Sequence, residues 1–410
     1  MSTRAATALH PAYTLLSAMK LLLAEGINLD ALESVLFTHT WMHKSDNSLI
    51  KAQLFDTTAR FGCSSIFTRR ARLHAELLRF ATSPSGVGEP AIIIEEAKVI
   101  EIDPLQGIVK LEDGREFQGN VLVGADGINS AVRGAVLAKQ PSTRTFTLAK
   151  PTGIATIMST IPIECIRSDV ELASLVADGV AGLSMYYGPS NLRASFFPMD
   201  SKGNVQLVGS IPETEWKEQF ERENSSIIKD VHPSHAQALY KDFHPSLVKL
   251  FGASITGKHD VWRIRDIDPL DSWSFGRSVL IGDAAHAVTP LTCASIKWPN
   301  ARLVLQISVR GVTLVRCSLF VFDSCLPDPV ALPTFAAVED AEALGFLLRD
   351  VKKGDSAGIA HAFTTFETLR KSRATYIQLT SRMAGGMLTG DEAAAIGPFD
   401  PAEFSKVRLT

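Results

Sequence analysis

The sequence predicts a mixed α/β fold: a parallel-sheet domain, a second sheet inserted into it, and helices at the end. Three observations carry this. Two apolar strands, Val121 to Val123 and Ser278 to Ile281, each run straight into a Gly/Asp turn and then a helix, the junction found at the carboxyl ends of parallel strands. Strand-like patterning dominates residues 152–211, and helical periodicity takes over from Val338 to about Met387.

Composition narrows the class. A chain of 410 residues suits one large or two ordinary domains. A hydrophobic share of 46% is enough for a sizeable core, which excludes wholesale disorder. Net charge −3 with pI near 6.4 supplies no basic field for nucleic acid or an anionic membrane. Five cysteines without a C-x-x-C pair make neither a disulfide framework nor a zinc site, so a reducing, cytoplasmic setting is expected. The first twenty residues mix Arg4, His10 and Lys20 with short apolar stretches and lack a signal peptide's apolar core. The most apolar segment, Leu303 to Phe322, is broken by Arg310 and Arg316 and alternates over Leu305, Ile307 and Val309, which reads as strand and not as a membrane span.

The elements follow in order. Tyr13 to Glu25 carries Leu15, Leu16, Met19, Leu22 and Leu23 at helical spacing, with Gly26 as a stop. Arg70 to Phe80 predicts a second helix with Leu73, Leu77 and Leu78 inward. Strands are predicted at Ala91–Ile94, Ala97–Ile102, Gly107–Leu111 and Glu116–Val123, punctuated by Asp103-Pro104 and Asp113-Gly114. Asn191–Phe197 and Val205–Ile211 are the clearest runs of the inserted sheet, and polar helices fill roughly 213–251. Ala341, Leu344, Leu347 and Leu348 mark the helical end.

The chemistry sits in the two turns. In Val121-Leu-Val-Gly-Ala-Asp126-Gly127-Ile-Asn-Ser130-Ala-Val-Arg133, glycines let a ligand approach the backbone, and Ser130 is placed to cap the following helix. The alternative is a tight Asp-Gly turn with no further role. In Ser278-Val-Leu-Ile-Gly282-Asp283-Ala-Ala-His286-Ala-Val-Thr-Pro290, the Asp283 carboxylate can accept from sugar or ribityl hydroxyls beside a helix amino terminus. The alternative is that Asp283 merely caps that helix. His286 reads as structural. His232, His235 and Asp230 are too loosely spaced to define a metal site. There is no Gly-x-Ser-x-Gly elbow and no P-loop.

Taken together and in this order, the two turns resemble the motif pair of FAD-dependent aromatic hydroxylases, the salicylate and 4-hydroxybenzoate hydroxylase-like flavoprotein monooxygenases. Thr68-Arg-Arg70-Ala-Arg-Leu-His74 resembles that family's His-Arg-x-Asp-Leu-His helix. Trp262-Arg-Ile-Arg-Asp266 through Trp273, Ala337-Val-Glu339-Asp340-Ala341 and Phe366-Glu-Thr-Leu-Arg370 to Arg373 are similar to its later segments. The resemblance implies a Rossmann-like FAD-binding domain over 1–150 and 262–350, an inserted β-sheet substrate domain over 151–261, and a helical segment over 351–410. It implies FAD as cofactor, NADH or NADPH as reductant, O2 as co-substrate, and hydroxylation of a small phenol or aryl carboxylate. By the same carry-over Arg70 binds near the FAD pyrophosphate, Asp126 and Gly127 lie near the flavin, Gly282 and Asp283 hold the ribityl chain, and Pro290 lies beside the ring. No catalytic side chain and no metal ligand is assigned.

Three departures qualify the resemblance. The family's opening Gly-x-Gly-x-x-Gly, which seats the diphosphate, does not occur in this sequence, so the first βαβ unit is expected to be missing. Residues 291–336 separate Pro290 from Ala337 where the family reads Pro-x-x-Gly-Gln-Gly. They hold Cys293, Cys317 and Cys325 and read as a translated intron or mis-set splice junction; the alternative is a genuine surface insertion, which long loops tolerate. Met158 and Phe197-Pro198 align where many relatives carry an arginine and Tyr-Pro, which removes the usual substrate-side charge and phenol and leaves Tyr186 and Tyr187 as the nearby phenols. Two further readings stay open: a non-catalytic remnant that binds a small aromatic ligand or a partner without flavin, and an FAD-dependent reductase or dehydrogenase on the same scaffold.

Overall fold

A computed structural model describes residues 11–14, 16–54, 58, 63–84, 89–140, 149–176, 182–189, 192–289, 332–388 and 390–395. In chain order the strands are β1 (Pro11–Thr14), β2 (Val35–Leu36), β3 (His39–Lys44), β4 (Leu49–Leu54), β5 (Ile66–Arg69), β6 (Val99–Asp103), β7 (Ile108–Leu111), β8 (Glu116–Gln118), β9 (Leu122–Gly124), β10 (Lys150–Pro162), β11 (Gly182–Tyr187), β12 (Arg193–Pro198), β13 (Asn204–Pro212), β14 (Ile227–Val231), β15 (His259–Asp266), β16 (Ser274–Phe275) and β17 (Ser278–Leu280). The helices used below are α1 (Leu16–Ala24), α2 (Arg70–Thr82), α3 (Ala131–Leu137), α4 (Lys217–Glu223), α5 (Pro233–Leu239), α6 (Pro245–Leu250), α7 (Asp283–His286), α8 (Leu332–Leu348) and α9 (Ser356–Ala384).

The described residues fall into two compact units. The first takes the chain up to Glu76 together with Pro151–Arg265, and the second takes Leu77–Lys150 and the described residues from Asp266 onward. This differs from a cofactor domain running unbroken over 1–150. The reason lies in strand pairing: β3 adds in parallel to β11, Trp41 opposite Ser184 and His43 opposite Tyr186, so the early chain completes the later sheet.

The first unit is built on an eight-stranded sheet of order β14-β15-β10-β13-β12-β11-β3-β4. Cross-strand partners share a face and successive residues alternate, so Ala155, Ile157, Ala194, Phe196, Leu207 and Tyr186 point to one side, where Phe220 of α4, Ala236 of α5 and Leu247 of α6 close a core. Gly209 is required there, because an added Cβ would stand 2.7 Å from the Tyr240 hydroxyl. That hydroxyl bonds the carbonyls of Arg193 at 2.7 Å and Ser210 at 2.8 Å. The polar segment 213–251, expected to be helical, thus forms three short helices interrupted by β14. A small sheet, β1-β5-β2, completes this unit.

The second unit carries an antiparallel β6-β7-β8 sheet and a β16-β17-β9 sheet in which β17 runs parallel to β9. Its core gathers Val123, Val136, Trp273, Val279 and Leu280 with Leu344 of α8 and Phe363 and Phe366 of α9.

Several boundaries move from expectation, each for a local reason. Pro11–Thr14 is strand and the first helix begins only at Leu16, because β1 pairs antiparallel with β5. Gly26 does end that helix, at φ 86°, with the Ile27 N–H bonding Leu22 O at 3.0 Å. Leu78 is exposed on α2, and the buried inward group beside Leu73 is Glu76, whose carboxylate accepts the Asn28 N–H at 2.9 Å. Ala91–Ile94 pairs with no strand among the described residues, and Ile92 is 83% exposed. Glu116–Val123 splits in two at Gly119, where a Cβ would sit 2.9 Å from Val121 O. Helix α8 begins at Leu332, inside the segment 291–336 set aside as anomalous. The remainder of that segment, the strand expected at Leu303–Phe322 and Pro290 lie outside the described residues.

Candidate flavin site

Parallel pairing of β9 with β17 sets Leu122 opposite Ser278, Val123 opposite Val279 and Gly124 opposite Leu280. The two turns therefore leave the same end of the same sheet, side by side. Only glycine fits at 124: a Cβ would meet Val132 Cβ at 2.7 Å and Leu280 Cδ2 at 2.8 Å.

The first turn closes on itself. Ser130 is the N-cap of α3, its Oγ accepting the Arg133 N–H at 2.8 Å, as the sequence predicts. Asp126 accepts the Ala131 N–H at 2.7 Å, the Val132 N–H at 3.2 Å and the Ser130 hydroxyl. Its carboxylate therefore satisfies the helix amino terminus, while Gly127 turns the chain at φ 78°.

The second turn is held from outside. Gly282 lies at φ 58° and ψ −141°, a region closed to residues with a side chain. Its N–H donates to Asp340 Oδ2 at 2.9 Å, and its carbonyl accepts the N–H groups of Ala285 and His286, both at 2.9 Å. The buried His286 ring bonds the same Asp340 oxygen at 2.6 Å and lies 5.0 Å from the Trp273 ring. Arg370 of α9 donates to the other Asp340 oxygen at 2.8 Å and to Glu339 at 2.6 Å, and Arg373 donates to Glu339 at 3.0 Å. Burial alone would raise the Asp340 pKa. The His286 and Arg370 charges and their hydrogen bonds, with the Gly282 N–H, outweigh it and hold the carboxyl at about 2.

Arg133 joins the two turns. Its guanidinium donates to Ile128 O in the first turn, and to Ala284 O at 3.1 Å and Asp283 O at 3.4 Å in the second. Burial lowers its pKa, and the charges of Asp126 and Asp283 offset part of that. The half-buried Asp283 thus sits on backbone fixed by Arg133 on one side and Asp340 on the other. Downstream, Thr289 Oγ1 meets Ser381 Oγ at 2.7 Å and Gln378 donates to Ala287 O at 3.1 Å, fixing residues 287–289.

Comparison with known proteins agrees with this geometry. A model of the FAD binding domain matches residues 106–294, which span both turns. The chain is 23% identical over 336 residues to the FAD-dependent monooxygenase phomE′ of Diaporthe leptostromiformis, covering 80% of this chain and 69% of that one. It is 25% identical over 269 residues to hispidin-3-hydroxylase of Neonothopanus nambi, covering 64% and 61%. The Klebsiella pneumoniae HpxO structure with FAD and uric acid superposes with a TM-score of 0.64 at 18% identity, over 97% of this chain and 83% of that one.

Residues 106–294 are similar to an FAD binding domain, and the relatives the chain matches include FAD-dependent monooxygenases.

Four of the six site residues that the resemblance implies, Asp126, Gly127, Gly282 and Asp283, lie together in the second unit. Arg70 opens α2 in the first unit, where it helps burial keep the His74 pKa low. The described residues fit the flavin half of FAD: a half-buried carboxylate at a strand's carboxyl end, on backbone held rigid, suits polyol hydroxyls. Sequence reasoning missed Arg133, Asp340 and Arg370 as the groups that hold the turns. For Asp340 the signal was the acidic pair Glu339-Asp340 within a largely apolar helix.

Among the described residues no cluster of three or more His, Cys, Asp or Glu side chains could hold a metal, and no helix is long and apolar enough to cross a membrane. His232 caps α5 by accepting the Ser234 N–H at 3.2 Å, and Asp230 pairs with Lys258 at 3.0 Å.

Proposed function

We propose that this chain is a cytoplasmic FAD-dependent monooxygenase that hydroxylates a small aromatic ring, a phenol or aryl carboxylate, with NADH or NADPH and O2. The observation that supports it most is the pair of adjacent strand-end turns clamped by one arginine, within a segment matching an FAD-binding domain. When bound, FAD would supply the redox chemistry that couples oxidation of NADH or NADPH to insertion of one O2 oxygen into the ring, the other leaving as water. Asp283 would accept hydrogen bonds from the ribityl hydroxyls, and Gly282 lets the backbone come close. Asp126 and Gly127 would shape the turn beside the flavin, Arg70 would neutralise the pyrophosphate, and Pro290 would border the ring. Asp340, Arg370 and Arg133 would act by holding the backbone of the two turns.

The test is flavin retention. Purified chain mixed with FAD and passed over gel filtration should keep a flavin spectrum, and phenolic acids should then stimulate NAD(P)H oxidation with O2-dependent hydroxylated product. Hydrogen peroxide without hydroxylated product would favour the reductase reading. A colourless protein that still binds aromatic acids would favour a non-catalytic remnant.

A further inference from the structure

The run Arg69-Arg70-Ala71-Arg72, where β5 passes into α2, sets three guanidinium groups within four residues. Against the His-Arg-x-Asp-Leu-His helix that this segment resembles, Arg69 and Arg72 stand where that helix reads His and Asp. Like charges this close repel one another, so the run needs counter-charges before any of its arginines can keep a fixed direction.

The first unit supplies them from two other elements. Arg69 Nε donates to Asp200 Oδ2, and the Asp200 side chain is fully buried in the turn between β12 and β13. Asp200 is itself held by that turn. Its Oδ1 accepts the N–H groups of Lys202 at 3.0 Å and Asn204 at 3.2 Å, and the Asn204 amide reaches its two oxygens at 3.0 and 2.9 Å. A carboxylate filled in this way cannot rotate without losing charge-assisted bonds, so it offers Arg69 a fixed anchor.

The third arginine of the run is tied to the same place. Arg72 pairs with Glu33 at 2.8 Å, and Lys202 of the β12–β13 turn reaches the same Glu33 oxygen at 2.7 Å. The Ser201 N–H donates to Glu33 O at 2.9 Å, and the Thr68 hydroxyl donates to Leu32 O at 2.6 Å. Phe67 of β5 stacks on Phe197 of β12 at 5.3 Å. Arg70 is thus bracketed, before and after, by residues anchored to the β12–β13 turn or to the turn at Glu33.

We infer that Asp200 is a positioning residue for the phosphates of the cofactor: by locking Arg69 it fixes the direction of Arg70, so a turn of the eight-stranded sheet sets the charge offered to the FAD pyrophosphate. The inference rests on the reading of Arg70 as the pyrophosphate residue. Asp200 acts through the two arginines and is given no contact of its own with the cofactor. Its partner Arg69 is where this chain departs from the helix it resembles, so the anchor answers a feature of this sequence.

The experiment uses two ligands that differ in the phosphates: FAD, and riboflavin, which keeps the ring and ribityl chain and has no phosphate. Each is titrated into the full chain by flavin fluorescence. Asp200→Asn and Arg69→Met break the pair from either end, and each should weaken FAD about tenfold while leaving riboflavin within about twofold. Arg69→Lys keeps the charge opposite Asp200 and should keep most of the FAD affinity. Arg70→Met should weaken FAD at least as much, and adding Asp200→Asn to it should change little, because both act through one group. A second readout needs no flavin. Burial, and then the Arg70 charge, hold the His74 pKa down, so an NMR titration of His74 reports where that charge lies. Asp200→Asn and Arg70→Met should each let this pKa rise, and the double variant should take it no further. Urea unfolding of each variant checks the fold, and Arg69→Met, at the half-buried end of the pair, stands in if Asp200→Asn unfolds.

Equal weakening of FAD and riboflavin, FAD affinity untouched in both pair-breaking variants, or a His74 titration that the pair-breaking variants leave unmoved overturns the inference. A His74 shift in those variants, in a chain that binds FAD no better than riboflavin, sinks the pyrophosphate reading of Arg70 and leaves the anchor standing.

Discussion

Asp340 accepts the Gly282 N–H at 2.9 Å across 58 residues of chain, so the tightest point of the second turn is held by a carboxylate on a distant helix. The same carboxylate takes the His286 ring and the Arg370 guanidinium, and it is fully buried. Replacing Asp340 by Asn keeps its shape but leaves Arg370 short of a counter-charge. Breaking a buried pair in this way costs about 3 kcal/mol. Urea unfolding should show that loss, and FAD affinity should fall about tenfold if about 1.4 kcal/mol of turn ordering goes with it. Because the Asp340 pKa is held at about 2, its stabilisation is complete above the ordinary carboxylate range near 4 and disappears as pH falls through 2. A wild type that loses no more stability than Asp340→Asn between pH 5 and pH 2 would refute that account.

Arg133 is the second support, and its replacement tests whether the two turns behave as one piece. In Arg133→Met the carbonyls of Ile128, Asp283 and Ala284 lose their shared donor. At about 1 kcal/mol each, the loss should approach 3 kcal/mol. Arg133→Lys should recover only part of it, because one ammonium cannot reproduce a planar fork that reaches both turns. Full recovery in the lysine variant would mean that charge alone, and not the fork, joins the turns.

At Gly282 the constraint is conformational. Its φ of 58° with ψ −141° is open only to glycine, and an added Cβ would stand 3.2 Å from Ala337 Cβ. Gly282→Ala should cost about 1–3 kcal/mol from backbone strain alone. In the urea transition this should appear as a lower midpoint with an unchanged slope. Unchanged stability would show that the turn relaxes freely and does not need its tethers.

These supports mark how far the sequence could be read. Ser130 was legible as a cap because capping is local: a serine three residues before Arg133, just ahead of an apolar helix. Both strand-end turns were legible for the same reason. Asp340 and Arg370 were visible only as members of similar helices, since their work depends on contacts 30 to 58 residues apart. Asp126 shows the converse. Its position was read correctly as a strand-end acid, yet its carboxylate is engaged by the next helix. The grouping of β3 with β11 escaped because parallel pairing leaves no short-range signal.

His259 supplies a last prediction, in the sheet unit. The ring is 1% exposed at the start of β15, edge-on to Phe251 at 6.3 Å. Burial pushes its pKa down to about 4; a backbone hydrogen bond at Phe251 opposes this, and the charge of His232 adds to it. The folded protein therefore binds this proton later than the unfolded chain, whose imidazole titrates near 6.5. Neutral His259 leaves stability untouched above that value, and stability is lost as pH falls from 6.5 toward 4. Between pH 7 and pH 5 the linkage amounts to about 2 kcal/mol. His259→Leu removes the titrating group from an apolar core, so the variant should lose about 2 kcal/mol less than wild type over that interval. Urea midpoints at the two pH values, compared between the two proteins, measure it directly. Equal losses in both would show that the imidazole gains solvent or a proton partner on acidification and that its burial does not govern the acid limb.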